Sequence, residues 1–282
     1  MSLINFDEAR CTNCGACVKV CTKGVLAKGE KSPELVKPQA CTTCGHCVIA
    51  CNFDAITHEQ VEPGIQKTGE GKLTPQQIAA FLKSKRSIRK YIDKPISKET
   101  LDEIFDVVRY APTAKNRQDR GLIVVTDREV IRKMDRAVCQ SFGKLVKILN
   151  WPVRKLMALS MPAFVRQIEM NLPSLRALVE RSNAGEMPIF HDAPCVVFTT
   201  GTKGNQMAKD NAVIAQQYLT LQAHSMGIGS CIIGYAAARI KAVKPFVQIP
   251  NGHKIITATT LGYTDVKYDK LPPRKKMKIN WV

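Results

Sequence analysis

From Thr74 onward the apolar residues fall into regular spacings. Thr74-Pro75-Gln76-Gln77 reads as an N-cap, a Pro at the first helical position and a capping-box Gln, so a helix is predicted from there to about Lys83. A second helix starts at Ser97, with Leu101, Ile104, Phe105 and Val108 on one face. Apolar, β-branched runs at Leu122–Thr126, Cys195–Thr200, Cys231–Ile233 and Ile255–Leu261, each bounded by turn or charged residues, predict strands. A long helix, about Met207 to Ser225, precedes Gly227-Ile-Gly229. That pair follows a helix and has no third Gly, so it reads as a helix C-cap leading into a strand and not as a dinucleotide fingerprint. Pro152, Pro162 and Pro173 are expected to cut residues 132–181 into short amphipathic helices. Helices and short strands thus mix across 73–282, which predicts an α+β or α/β core, with α+β taken as the fold class. Ahead of it, residues 61–73 form a hydrophilic, Gly-containing linker, giving a small domain over 1–60 and a larger one over 74–282.

Composition narrows this further. With 282 residues, 45% hydrophobic and 23% charged, the chain has material for a packed core and is not a disordered sequence. No stretch of about 18 apolar residues is free of charge. The most apolar one, Leu145 to Val165, contains Lys147, Arg154 and Lys155. No transmembrane segment is expected, and the first twenty residues lack a signal peptide's apolar centre, so a cytoplasmic location with reduced cysteines is expected. The formal charge is +18, yet residues 1–60 balance six basic against six acidic side chains. Residues 132–181 carry ten basic and three acidic ones, which reads as a basic, solvated helical lid. No nucleic-acid-binding motif accompanies it, and no nucleic-acid partner is expected.

Eight of the eleven cysteines lie within residues 11–51, in two copies of one pattern. Cys11-x2-Cys14-x2-Cys17-x3-Cys21 is answered thirty residues later by Cys41-x2-Cys44-x2-Cys47-x3-Cys51, and Gly24-Val25-Leu26 is answered by Asp54-Ala55-Ile56. Disulfides do not suit a chain without a secretion signal. Structural zinc would use two separated Cys-x-x-Cys pairs and has no use for a third Cys two residues further on. A cubane iron–sulfur cluster needs three thiolates from one short loop and a fourth from elsewhere, and this run supplies them. Two [4Fe–4S] clusters are therefore expected. His46 lies inside the second run, but four Cys complete that site, and His46 reads as solvated.

Residues 3–60 resemble the bacterial two-cluster ferredoxin. In that family the fourth Cys of each run serves the other cluster. The resemblance implies that Cys11, Cys14, Cys17 and Cys51 hold one cluster, and Cys41, Cys44, Cys47 and Cys21 the second. Where the family usually has Pro after the fourth Cys, this chain has Thr22 and Asn52.

Three further clusters stand out. Lys85-Arg86-Ser87-Ile88-Arg89 follows the first helix; its cations and hydroxyl can hold a phosphate, although such a pentapeptide alone is more often a solvated face. Ala111-Pro112-Thr113-Ala114-Lys115-Asn116-Arg117-Gln118 reads as a helix stop and a polar loop, and Leu271-Pro272-Pro273-Arg274-Lys275-Lys276 is a second basic cluster. In that order they resemble the nitroreductase family of FMN-dependent oxidoreductases. The resemblance implies that Lys85, Arg86, Ser87 and Arg89, with Arg274 and Lys275 or Lys276, hold the FMN phosphate. It implies too that Pro112, Thr113 and Asn116 border the flavin, and that Cys231, Ile232, Ile233 and Gly234 lie against its ring. The family often has Pro-Trp after the loop Gln; here Asp119-Arg120 follows, which is expected to alter the substrate side of the pocket. Residues 136–190 correspond to the family's variable, substrate-covering helices. His191-Asp192, His224 and His253 show no spacing for a triad or a metal site and are expected to be structural.

The resemblance implies a homodimer with a mixed sheet flanked by helices, and no catalytic side chain, because the flavin carries the chemistry. Joined to a ferredoxin-like domain, it is expected to take electrons from reduced ferredoxin or NAD(P)H, pass them through the clusters to FMN, and reduce a nitroaromatic, quinone or enone by two electrons. Alternatives are a non-enzymatic electron carrier or redox sensor, and other flavin chemistry such as reductive dehalogenation.

Overall fold

In the computed structural model the described residues are 2–64, 69, 71–149 and 151–282, with the backbone alone described at Phe164 and Gln167. The expected linker lies partly outside them. The chain divides into two units, Met1–Lys72 with Thr113–Gln118, and Leu73–Pro112 with Asp119–Val282.

In the first unit, short elements alternate with the cysteine runs: β1 (Ile4–Phe6), α1 (Ala16–Val20), β2 (Leu26–Ala27), β3 (Glu34–Leu35), α2 (His46–Ile49) and β4 (Ile56–His58). β1 pairs antiparallel with β4, and β2 with β3. The thirty-residue repeat is a repeat of backbone geometry. α1 and α2 each begin after a left-handed glycine, Gly15 at φ 75° and Gly45 at φ 73°, where a side chain would be strained. The Val25 N–H donates to Cys21 Sγ at 3.4 Å, and the Ala55 N–H to Cys51 Sγ at 3.3 Å. Ile4, Cys17, Val25, Leu26, Val48 and Ile56 make the core. So small a core ordinarily needs a metal or covalent staple.

The second unit follows the predicted order. α3 (Pro75–Ser84) carries the full capping box between Thr74 and Gln77, and α4 (Lys98–Val108) is capped by Ser97, with Leu101, Ile104 and Val108 buried. Then come β5 (Arg120–Val125), α5 (Arg128–Ile148), α6 (Trp151–Ala158), α7 (Pro162–Asn183), β6 (Cys195–Thr202), α8 (Ala208–Ser225), β7 (Gly229–Ile232), α9 (Gly234–Ala238), α10 (Ile240–Val243) and β8 (His253–Gly262). The last four strands form one sheet in the order β5-β6-β8-β7, antiparallel throughout, and a parallel bridge from Ser87 to Ser230 makes it mixed. The α+β expectation is met.

β6 is buried on both faces. Val196 and Phe198 face one core with Ile131, Met134, Val138 and Phe190, whereas Cys195 and Val197 face the other with Ile104, Leu219 and Leu261. α8 lies on the second face through small residues, and its one long buried polar side chain is satisfied: Gln216 Nε2 donates to Ala258 O at 3.1 Å and Thr259 Oγ1 at 2.7 Å. The C-cap at Gly227 is present, with the Ile228 N–H reaching back to Ala223 O at 2.8 Å. Among the described residues no helix is long and apolar enough to cross a membrane.

One expectation needs correcting. Residues 132–181 are only in part short helices: α6, with Pro152 in its first turn, has 8 residues, but α5 runs for 21 and α7 for 22, with Pro173 inside α7. Pro162 does open a helix. Pro173 removes one backbone hydrogen bond at a cost of about 3 kcal/mol. Leu172 is buried on the same helix, and Leu175, Leu178 and Val179 pack on the core, which offsets that cost.

Asp135 on α5 is 1% exposed, and its Oδ2 accepts from the N–H of Ile189 at 2.9 Å and of Phe190 at 2.8 Å. Burial pushes its carboxyl from 3.8 up to about 6, in spite of those two donors. The folded carboxyl therefore holds a proton that the unfolded one releases. Its contribution to stability is full below about pH 4 and is lost as the pH rises through about 6. Asp135→Asn should flatten that part of the stability–pH curve relative to the parent. Asp135→Ala leaves two buried N–H groups without an acceptor and should cost about 3 kcal/mol by urea denaturation.

Candidate functional site

Two cavities in the first unit sort the eight cysteines. Cys11, Cys14, Cys17 and Cys51 line one, and Cys21, Cys41, Cys44 and Cys47 line the other. Each set takes three thiols from one run and the fourth from the other run, because the fourth cysteine follows a short helix that carries the chain across the repeat. All eleven cysteines are free of disulfides. Among the described residues no three His, Cys, Asp or Glu side chains converge as ligands of a single metal ion, and each set of four stands around a space instead. Burial, reinforced by neighbouring cysteines, pushes the Cys17 thiol up and the Cys47 thiol up to about 11, although backbone N–H groups partly oppose it. Thiolates at these positions therefore need a positive partner.

The second unit holds a basic cleft of about 500 Å³ lined by Arg86, Ser87, Arg89, Lys270 and Arg274, with no carboxylate in its wall. The segment is fixed by its pairing along β7. The Ile88 N–H donates to Ser230 O at 2.9 Å, and the Tyr91 hydroxyl donates to Ile88 O at 2.7 Å and lies 2.8 Å from the Thr260 hydroxyl. Gly229 permits this approach, since a Cβ there would stand 2.9 Å from Ile88 Cβ. A second cleft of about 380 Å³ shares Arg86 and Tyr268 with the first and adds the backbone of Gly227, Gly229 and Ser230. Lys85 caps α3 and is half-buried, and burial pushes its ammonium below its ordinary value. Arg86 Nη1 donates to Lys85 O at 2.6 Å.

Other expected contacts fall elsewhere. Lys275 and Lys276 are exposed and do not line the basic cleft. Cys231 and Ile233 are buried in the core, Ile232 between them is half exposed, and Gly234 opens α9. Pro112, Thr113 and Asn116 do not line that cleft either. Thr113 and Asn116 belong to the first unit, where Asn116 Nδ2 donates to Thr43 O at 2.7 Å and the Gln118 N–H to Thr113 Oγ1 at 3.0 Å.

Asp119 and Arg120 are engaged in packing. Asp119 accepts from Thr202 Oγ1, from Asn205 Nδ2 at 2.7 Å and from Asn211 Nδ2 at 3.3 Å. Burial works against its charge, but these donors outweigh it and hold the carboxyl below its ordinary value. Arg120 Nη2 donates to Val108 O at 3.1 Å and Arg109 O at 2.6 Å. His46 is exposed, His224 Nε2 lies 2.9 Å from Ser84 Oγ, and His253 Nδ1 lies 3.0 Å from Thr200 Oγ1. Sequence reasoning passed over His58, which is buried beside Cys41. The signal for it was the repeat itself, which sets His58 against Lys28.

An α+β unit with a basic cleft beside a glycine-opened strand, preceded by a duplicated cysteine fold, defines a redox protein of the flavin-dependent oxidoreductase class. The chain belongs to the nitroreductase family, whose model matches residues 82–263, and residues 3–52 match the 4Fe-4S dicluster domain. The FMN reductase (NAD(P)H) of Bacillus subtilis is 23% identical over 72% of this chain and 72% of its own length. The crystal structure of a nitroreductase with bound FMN from Desulfitobacterium hafniense aligns with a TM-score of 0.55 at 21% identity, over 72% of this chain and 97% of that one. Iodotyrosine deiodinase bound to FMN and 3-iodo-L-tyrosine aligns with a TM-score of 0.53 at 16% identity, over 72% and 98%. These two likenesses speak to the fold.

Gly229→Ala should cost about 1–3 kcal/mol by crowding Ile88. Gly234→Ala, where a Cβ meets nothing within 4 Å, should be close to neutral. Thermal denaturation of the two variants checks this.

Proposed function

We propose that the chain is an FMN-dependent oxidoreductase that takes electrons through two [4Fe–4S] clusters and uses them for two-electron reduction of a small organic acceptor of nitroaromatic, quinone or enone type. The observation that carries the cluster half is the partition of eight thiols into two cavities of four, each drawn from both runs. Cys11, Cys14, Cys17 and Cys51 would hold one cluster, and Cys21, Cys41, Cys44 and Cys47 the other. When bound, the clusters carry single electrons, and FMN gathers two and delivers them to the acceptor.

The second unit's residues fit the flavin's charge. Arg86, Arg89, Lys270 and Arg274 surround one cleft without a carboxylate, and Ser87 adds a hydroxyl; guanidinium forks in that setting hold a phosphate bidentately. The neighbouring cleft, with the backbone of Gly227 to Ser230, would receive the ring. Lys85 and one of Lys275 and Lys276 would add charge, and Pro112 and the Cys231–Gly234 segment would approach the ring, in an assembly we take to be a homodimer. The electron donor would be reduced ferredoxin or NAD(P)H.

Protein purified without oxygen should contain about eight iron, about eight acid-labile sulfide and one FMN per chain; zinc in place of iron, or no flavin, would overturn the reading. Changing all eight cluster cysteines to Ser should abolish acceptor reduction by reduced ferredoxin. Rapid turnover of that variant with NADPH would make the clusters dispensable. Arg89→Ala removes a charge-assisted contact and should weaken FMN binding about 10- to 100-fold, read by flavin fluorescence in a titration.

A further inference from the structure

The two thiol cavities are related by the thirty-residue repeat, and one pair of hydrogen bonds to sulfur repeats with them. Cys21 and Cys51 each accept one backbone N–H, from Val25 and Ala55. His58 breaks the match. It closes β4 opposite Ile4, is 6% exposed, and its Nε2 lies 3.4 Å from Cys41 Sγ. The other ring nitrogen is already committed: His58 Nδ1 accepts the Gln60 N–H at 3.1 Å. A neutral imidazole has one N–H, so an Nδ1 that accepts places the proton on Nε2, and Nε2 then donates to the sulfur. The residue thirty positions earlier is Lys28, which is exposed. Among the described residues His58 is the one side chain within hydrogen-bonding reach of a sulfur in either run. The Thr43 N–H adds a backbone donor to the same Cys41 sulfur at 3.4 Å.

This asymmetry has an electrochemical meaning. A reduced cluster carries one more negative charge than an oxidised one, spread over its thiolates. A donor aimed at a thiolate stabilises the reduced form more and raises the potential. Resting on the cluster assignment proposed above, we infer that His58 is a positioning residue that makes the two clusters unequal, with the cluster on Cys21, Cys41, Cys44 and Cys47 the easier to reduce. Electrons entering the first unit would settle on that cluster and not divide evenly.

The test is an EPR-monitored redox titration of the full chain, purified without oxygen, with iron and sulfide counted on the same samples. The parent should show two distinct midpoints. His58→Leu, which removes the donor, should lower the upper midpoint by about 59 mV, a tenfold shift in the oxidised-to-reduced ratio of a one-electron couple, and leave the lower one in place. His58→Gln retains an N–H and should recover part of the shift. Intact clusters with unmoved midpoints, or a shift confined to the lower midpoint, would overturn the inference while leaving the cluster assignment standing. A parent without iron and sulfide would sink the assignment and the inference together. Where both variants lose their clusters, ESEEM of parent protein carrying 15N-histidine decides. A histidine nitrogen coupled to the upper-midpoint signal supports the role, and no such coupling overturns it.

Discussion

Strand β6 lies between β5 and β8 with both faces covered, and that position constrains the rest of the second unit. A strand without a solvent face leans on apolar side chains, as at Cys195 to Phe198 ahead of the buried Thr199 and Thr200, and each face needs its own layer of helices. α5, α7, α9 and α10 supply one layer, and α4 and α8 the other. With β6 central and β5 and β7 at the ends of the order, the β7 side is where further backbone can add. The segment around Ser87 bridges there and brings Arg86 and Arg89 to one wall. The basic cleft is thus a consequence of sheet order. The pentapeptide would be an ordinary charged surface if β7 did not offer it an edge and a glycine.

Much of this was legible in the sequence. Caps at Thr74 and Ser97 and the β-branched runs depend on neighbours a few residues away, and each local signal agreed with the fold. The eight cysteines were legible because their spacing is itself the constraint. Pro173 was misjudged because the cost of a proline is local, whereas the leucines that offset it act through contacts with α5 and the core. Asp119 and Arg120 stand out in the sequence as departures from a family pattern, but Asp119's partners, Thr202 and Asn205, lie more than eighty residues away and give no local signal. His58 was invisible for the same reason: a lone histidine near the end of a repeat acquires meaning only when β1–β4 pairing turns it toward Cys41.

Duplication explains how so short a first unit is built. Two copies of one loop, helix and turn supply each other's missing fourth thiol, so neither copy completes a cavity alone. Few apolar side chains are then needed, and the available ones gather between the helices. The second unit has the opposite economy: two extensive cores, satisfied buried amides and carboxyls, and an open charged cleft that leaves selectivity to its walls.

The loop Thr113–Gln118 belongs to the first unit, although forty residues of the second unit's chain precede it. Asn116 closes on the carbonyl of Thr43, between two cysteines of the second run. The first unit is therefore discontinuous in the gene. A ribosome delivers its residues in two instalments, and the second arrives only after α3 and α4 have emerged. The first unit receives its last six residues only after part of the second has been made.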